Sequence, residues 1–185
     1  MKLRQRIAPT FEAVSTTVQA ITRFAKLERV LAFVCLFIPA VLIWFDDGRI
    51  RDSISAYYSM EENQFFYFPL TVASMLFVVN GVVKQKHGYN TVLGATLAGV
   101  ILFNHNDFSI FHNICAAAFF VGNAVVIVVF SSKKERWFKI LLVAGIALSM
   151  MGYFFFGWFT LFWAEWLSFG IIALHYILES WDIID

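Results

Sequence analysis

The sequence predicts an all-α, polytopic membrane protein: about six transmembrane helices preceded by an N-terminal amphipathic helix. Three observations predict it. Of the 185 residues, 60% are hydrophobic and 18% aromatic, with 22 Phe, where a soluble domain is roughly 45–50% apolar. The excess falls in runs of about 15 to 24 residues, the length that crosses a ~30 Å hydrocarbon core as helix. The runs do not alternate, as the ~10-residue strands of a membrane barrel would. In lipid only helices and closed barrels satisfy their own backbone groups.

Two regions follow: residues 1–28, an amphipathic cytoplasmic or interfacial helix, and residues 29–185, the six-helix membrane domain. In the first, Ile7, Phe11, Val14, Val18 and Ile21 recur at helical spacing, one apolar stripe. Thr10, Ser15, Thr16, Thr17, Gln19, Arg23 and Lys26 take the other faces. Such a helix lies in the plane of an anionic membrane surface or packs its stripe on a partner subunit. No small-residue cleavage site follows the first apolar run, so that run is expected to stay in the membrane.

Segment 1 runs from about Arg29 to Phe45, and Asp46-Asp47-Gly48 stops it with turn residues. Segment 2 runs from about Met60 to Val83. Ser59 and Glu62 have capping-box spacing for its start, Phe65 to Phe68 form an aromatic collar, and Pro69 predicts a kink. Segment 3, Thr91 to Phe103, is short, so the polar loop after it is expected in a depression that is wet or covered by protein. Segment 4 runs from Ile110 to Phe130, with Ala116, Ala117, Ala118 and Gly122 as close-contact positions. Segment 5 runs from Trp137 to about Phe159, with Gly145, Ser149 and Gly152 in the same role. Segment 6 runs from Phe162 to Trp181. Trp158, Trp163 and Trp166 suit an interfacial belt.

Lys and Arg set the orientation. The N-terminal segment, Lys84 to Lys86 and Lys133 to Arg136 are basic; the 104–109 and 157–163 connections carry neither residue. Six crossings put the basic segments on one side, hence both termini cytoplasmic. Arg49 and Arg51 lie on the other side, beside Asp46, Asp47 and Asp52. Cys35 and Cys115 fall inside apolar runs at opposite membrane depths, so no disulfide is expected. The chain shows no glycine-rich phosphate loop, no Gly-x-Ser-x-Gly, no Cys-x-x-Cys and no basic stripe for nucleic acid.

This topology gathers polar residues at the outer face: the 46–58 loop, the 104–112 patch and Glu165. The candidate cluster is Asp52, Ser53, Ser55, Tyr57, His105, Asp107, His112 and Glu165, with Tyr58 beside it. His105, Asp107, His112 and Glu165 are the residue types of a zinc site with an open position for water. The alternative is structural. His112 and Glu165, each one turn inside its helix, would pair with each other or with Arg49 or Arg51, because charge at membrane depth is costly. Asp107 or Ser109 would cap segment 4. His175 and Glu179 form an i, i+4 pair near the other surface.

Two function classes follow. One is a small oligomeric sensor, effector or pore component with an outer polar site; the other is a metal-dependent membrane hydrolase acting on a lipid or amphiphile. Membrane lipid is the expected partner. Small residues on segments 3 to 5 and the N-terminal stripe predict a homo-oligomer.

The run Ser53-Ile54-Ser55-Ala56-Tyr57-Tyr58 resembles the signature of a family of small bacterial membrane proteins of unknown function. So do His112 followed by small and aromatic residues to Phe120, and Phe162-Trp163-Ala164-Glu165 at the last helix. The resemblance covers about residues 28–181 and implies about six helices in the inner membrane, without an activity. Scattered Ser, Asp and His residues also resemble seven-helix membrane hydrolases of the alkaline ceramidase and progestin-receptor-like kind. This chain lacks the His-x-x-x-His of their last helix and has one helix fewer.

Overall fold

The computed structural model describes residues 26–83, 88–130 and 134–184, all helix and connecting turns. The amphipathic reading of residues 1–28 falls almost wholly outside the described residues. Five helices are long and apolar enough to cross a membrane: α1 (Lys26–Phe45), α2 (Gln64–Val83), α4 (Ser109–Phe130), α5 (Arg136–Phe154) and α6 (Leu161–Ser180). Between them α3 (Gly88–Leu102) is shorter, 15 residues or ~22 Å of rise. The last turn of α4, Val126–Phe130, widens to a π-helix. Trp44, Leu102, Ile110 and Trp137 point outward, each at least 73% exposed, which suits lipid and not water.

Helix α6 lies at the centre. Half of its apolar stretch is buried within the chain, against 22% for α4. It packs on α5, where Ser149 and Ser168 hydroxyls meet at 2.9 Å. It packs on α1, where Arg29 Nε donates to Ser180 Oγ at 3.2 Å and Trp166 Nε1 to the Leu36 carbonyl at 3.3 Å. Aromatic rings fill the middle. Phe77 meets Phe119 edge-on at 5.4 Å and Tyr176 at 5.7 Å, and Phe169 meets Phe119 and Phe120 at 5.6 and 5.5 Å. With little hydrophobic drive between helices in lipid, such packing and polar contacts hold the bundle together.

Helices α2 and α3 form a tight hairpin. A Cβ on Gly94 would fall 2.7 Å from the Ser74 carbonyl oxygen, and Ser74 Oγ donates to the Gly94 carbonyl at 2.8 Å. Only glycine permits that approach. Two more small residues are used within the chain, Gly122 against Leu93 of α3 and Gly145 against Ile171 of α6, whereas Ala117 and Ala118, expected as contact positions, are exposed.

Several expected boundaries shift. Helix α2 begins at Gln64, not Met60, and the Ser59–Glu62 capping box does not form. Ser55–Ser59 wind into a 3-10 turn, Met60 is extended (φ −70°, ψ 157°), and Ser59 Oγ is held by Arg51. Helix α2 runs through Pro69 without interruption. Helix α5 ends at Phe154 rather than Phe159, and the link turns at Gly157 (φ +60°). Neither Asp107 nor Ser109 caps α4: Phe108 is the N-cap, with no side-chain bond to the helix. Asp107 instead closes a ring with Asn104, whose Oδ1 accepts the Asp107 N–H and whose Nδ2 donates to Asp107 Oδ2, both at 2.8 Å.

Candidate functional site

The 46–60 loop is locked upon itself. Asp47 (φ +54°) and Gly48 (φ +78°) adopt consecutive left-handed conformations, reversing the chain so that Asp46 faces Arg51. The Arg51 guanidinium grips both carboxylate oxygens, Nε to Oδ2 at 2.6 Å and Nη2 to Oδ1 at 2.9 Å, the strong two-pronged geometry. Its third nitrogen donates to Ser59 Oγ at 2.6 Å and to the Ala56 carbonyl at 3.2 Å. The fork hydrogen bond to Arg51 holds the Asp46 carboxyl below the usual aspartate range. The Tyr57 hydroxyl donates to the Arg49 carbonyl at 2.7 Å, and the Arg51 cation lies 5.5 Å from the Tyr57 ring. Burial pushes the Tyr57 phenol up.

Two bonds fasten this loop to the start of α6. The Phe162 N–H donates to the Asp52 carbonyl at 2.8 Å, and the Ile54 N–H donates to Glu165 Oε2 at 2.6 Å. Both satisfy backbone groups that the loop or the helix terminus would leave orphaned. Under the loop lies a cavity of about 20 Å³ whose lining includes Ile54, Ser55, Leu97, Val100 and Glu165. That is room for a single water, which needs ~10–15 Å³.

On the loop's other side is a larger pocket of about 140 Å³. Its wall comes from two turns: Ser53, Ser55, Ala56, Tyr58 and Ser59 from the first, His105 and Asn106 from the second. Ser53 Oγ lies 3.0 Å from Ser55 Oγ and accepts the Ala56 N–H at 3.1 Å. Ser55 lines both the pocket and the small cavity beneath it.

Of the candidate cluster, the structure brings Ser53, Ser55 and His105 to this pocket. Asp52 serves through its carbonyl. Tyr57 is fully buried and braces the loop. Asp107 is tied to Asn104. His112 and Glu165 do not pair as expected. His112 is buried, and its Nδ1 lies 2.8 Å from the Phe103 carbonyl; a carbonyl only accepts, so Nδ1 carries the proton. Glu165 answers Ile54. Each of these two groups has met a backbone group instead of the other. The candidate cluster left out Arg51, Ser59 and Asn106, although the first two were singled out for other roles. The Asp46–Arg51 charge pair across a glycine turn was the available signal for Arg51; a loop asparagine carries none.

The residues expected to hold zinc do not assemble. His105 and His112 rings stack edge to face with centroids 5.5 Å apart, but among the described residues no three His, Cys, Asp or Glu side chains are grouped to hold a metal ion. At the opposite end of the bundle, His175 and Glu179 form the expected i, i+4 pair at 3.9 Å, both buried. Near it Tyr176 donates to Asn90 Oδ1 at 3.0 Å and Asn90 to Asn80 Oδ1 at 2.8 Å.

Residues 37–180 match a protein family described as a family of unknown function (DUF7103). That span contains the loop, the pocket and the start of α6. No curated protein and no solved structure matches the chain.

Proposed function

The chain belongs to a family of unknown function (DUF7103), and from that premise we propose that it is a multi-pass membrane receptor component. It binds a small polar ligand in the pocket between the 53–59 and 105–106 turns. The reading retains a bacterial inner membrane, as the resemblance implies, with cytoplasmic termini and a pocket open to the outer side, as the basic loops imply. A homo-oligomer remains part of it, with the N-terminal stripe as contact or anchor.

The observation that carries the proposal is preorganisation. The pocket's first wall is fixed by the Arg51 fork and by the two bonds to α6. A wall set before the ligand arrives lowers the ordering cost of binding, and a concave site with convergent polar groups is the usual form of a ligand site. The hydrolase alternative lacks a comparable support, because its metal donors are not grouped among the described residues.

The test uses Ala56→Cys as a reporter, at a wall position whose side chain makes no polar contact, in a chain whose native Cys35 and Cys115 lie within membrane helices. Its labelling by a membrane-impermeant maleimide is followed in the presence of sugars, polyols, carboxylates, phosphates and amines. Saturable protection by one class supports the reading. Uniform labelling under every solute defeats it.

A further inference from the structure

We propose that the pocket takes a neutral polyhydroxylated group, a sugar or polyol, either free or as a lipid headgroup. This rests on the receptor reading above and names its ligand class.

The wall decides the class. Its side chains include the hydroxyls of Ser53, Ser55 and Tyr58, one amide (Asn106) and one imidazole (His105), with no carboxylate, lysine or arginine; the Ser59 hydroxyl, also in the wall, is engaged by the Ala56 carbonyl and Arg51. Two charged side chains near the wall, Arg51 and Asp107, are already engaged. Arg51 stands behind Ser59, but both prongs of its fork are on Asp46 and its remaining nitrogen serves Ser59 and the Ala56 carbonyl. Asp107, next to Asn106, is closed into its ring with Asn104. A charged ligand would give up hydration here against a wall that has no carboxylate, lysine or arginine to replace it, which is expensive.

Hydroxyls and a carboxamide both donate and accept. The partner that uses them fully does the same, which is the property of a vicinal polyol. An anion only accepts and an ammonium only donates, so each leaves half of the wall's capacity unused. The two closely set hydroxyls of Ser53 and Ser55, 3.0 Å apart, match the spacing of adjacent ring hydroxyls. Tyr58 and His105 bring two ring side chains to the same wall. The pocket, at about 140 Å³, exceeds several-fold the ~10–15 Å³ that one water needs, so it holds a group of several heavy atoms.

The test is calorimetric titration of the full-length chain in a detergent without a sugar headgroup, since maltosides would compete. The titrants are glucose, inositol and glycerol, against sodium phosphate, acetate and choline. A parallel arm places the chain in phosphatidylcholine nanodiscs with or without a galactosyl diacylglycerol and repeats the glucose titration. Binding by a polyol and not by the ions is expected, weakened about tenfold by Ser55→Ala or Asn106→Ala, the scale of one lost hydrogen-bonding group. Loss of glucose binding only in the galactolipid discs identifies the headgroup as the natural occupant; unchanged binding there identifies the free solute. Saturable phosphate, acetate or choline binding without polyol binding overturns the ligand class and leaves the receptor reading standing. No binding by any titrant overturns both. Polyol binding at full strength in both variants places the site elsewhere and overturns the proposal.

Discussion

Glu165, one turn into the last helix, accepts the backbone N–H of Ile54 at 2.6 Å across 111 residues of chain. Glu165→Ala leaves that donor buried without a partner, a loss of about 1–3 kcal/mol. Glu165→Gln keeps a carbonyl oxygen at the same place and recovers most of it. Limited proteolysis between residues 46 and 60 should be fast in the alanine variant and near wild type in the glutamine one. Equal rates in all three would show that Glu165 does not hold the loop.

The Arg51–Asp46 fork gives the loop an acid limit. Hydrogen bonding to Arg51, with the charges of Arg51 and Arg49 adding, holds the Asp46 carboxyl low in the folded chain. A depressed carboxyl contributes stability above its unfolded value, ~3.9, and loses it as pH falls through the lower folded value. Loop proteolysis with an acid-active protease should therefore be flat above about pH 4 and rise below it. Asp46→Asn should show the faster rate already at neutral pH, and Arg51→Lys should be intermediate, because an ammonium lacks the planar fork.

Gly94→Ala should be among the most damaging small changes in the chain. The added methyl meets the Ser74 carbonyl and Val78, and forcing α2 from α3 costs about 1–3 kcal/mol or more. The expected readout is a lowered thermal midpoint in detergent. Gly48→Asn, in an open left-handed turn, should be far milder.

Orientation is checked by cysteine labelling in intact cells. Glu61→Cys should react with an impermeant reagent added outside, and Lys134→Cys only after the membrane is opened. The opposite pattern would put the pocket on the cytoplasmic side.

Helices were legible in the sequence because run length and charge-free composition answer one dominant constraint, the hydrocarbon core. The turns were less so. Ser59 and Glu62 have capping spacing, but local spacing cannot show that Arg51 would capture Ser59 from eight residues away. His112 and Glu165 were legible as buried ionisable groups that need partners. Their partners are the Phe103 carbonyl and the Ile54 amide, and a sequence does not mark which backbone groups a fold leaves unpaired. Ser53, Ser55 and His105 were found as polar residues at one end. Asn106 was passed over because only the fold sets its turn against the other.

The fastening of the loop to α6 also imposes an order on biogenesis. The ribosome delivers residues 46–60 early, whereas both anchors, Phe162 and Glu165, arrive about a hundred residues later, the wider gap being 111. At ~5–20 residues per second the wait is roughly 6–20 s. Throughout that interval the Ile54 amide has no acceptor from the last helix, and the loop must rely on its internal Arg51 clasp alone. Full fastening of the loop is thereby tied to insertion of the final helix, so a nascent chain arrested before α6 presents the turn without its two outer anchors.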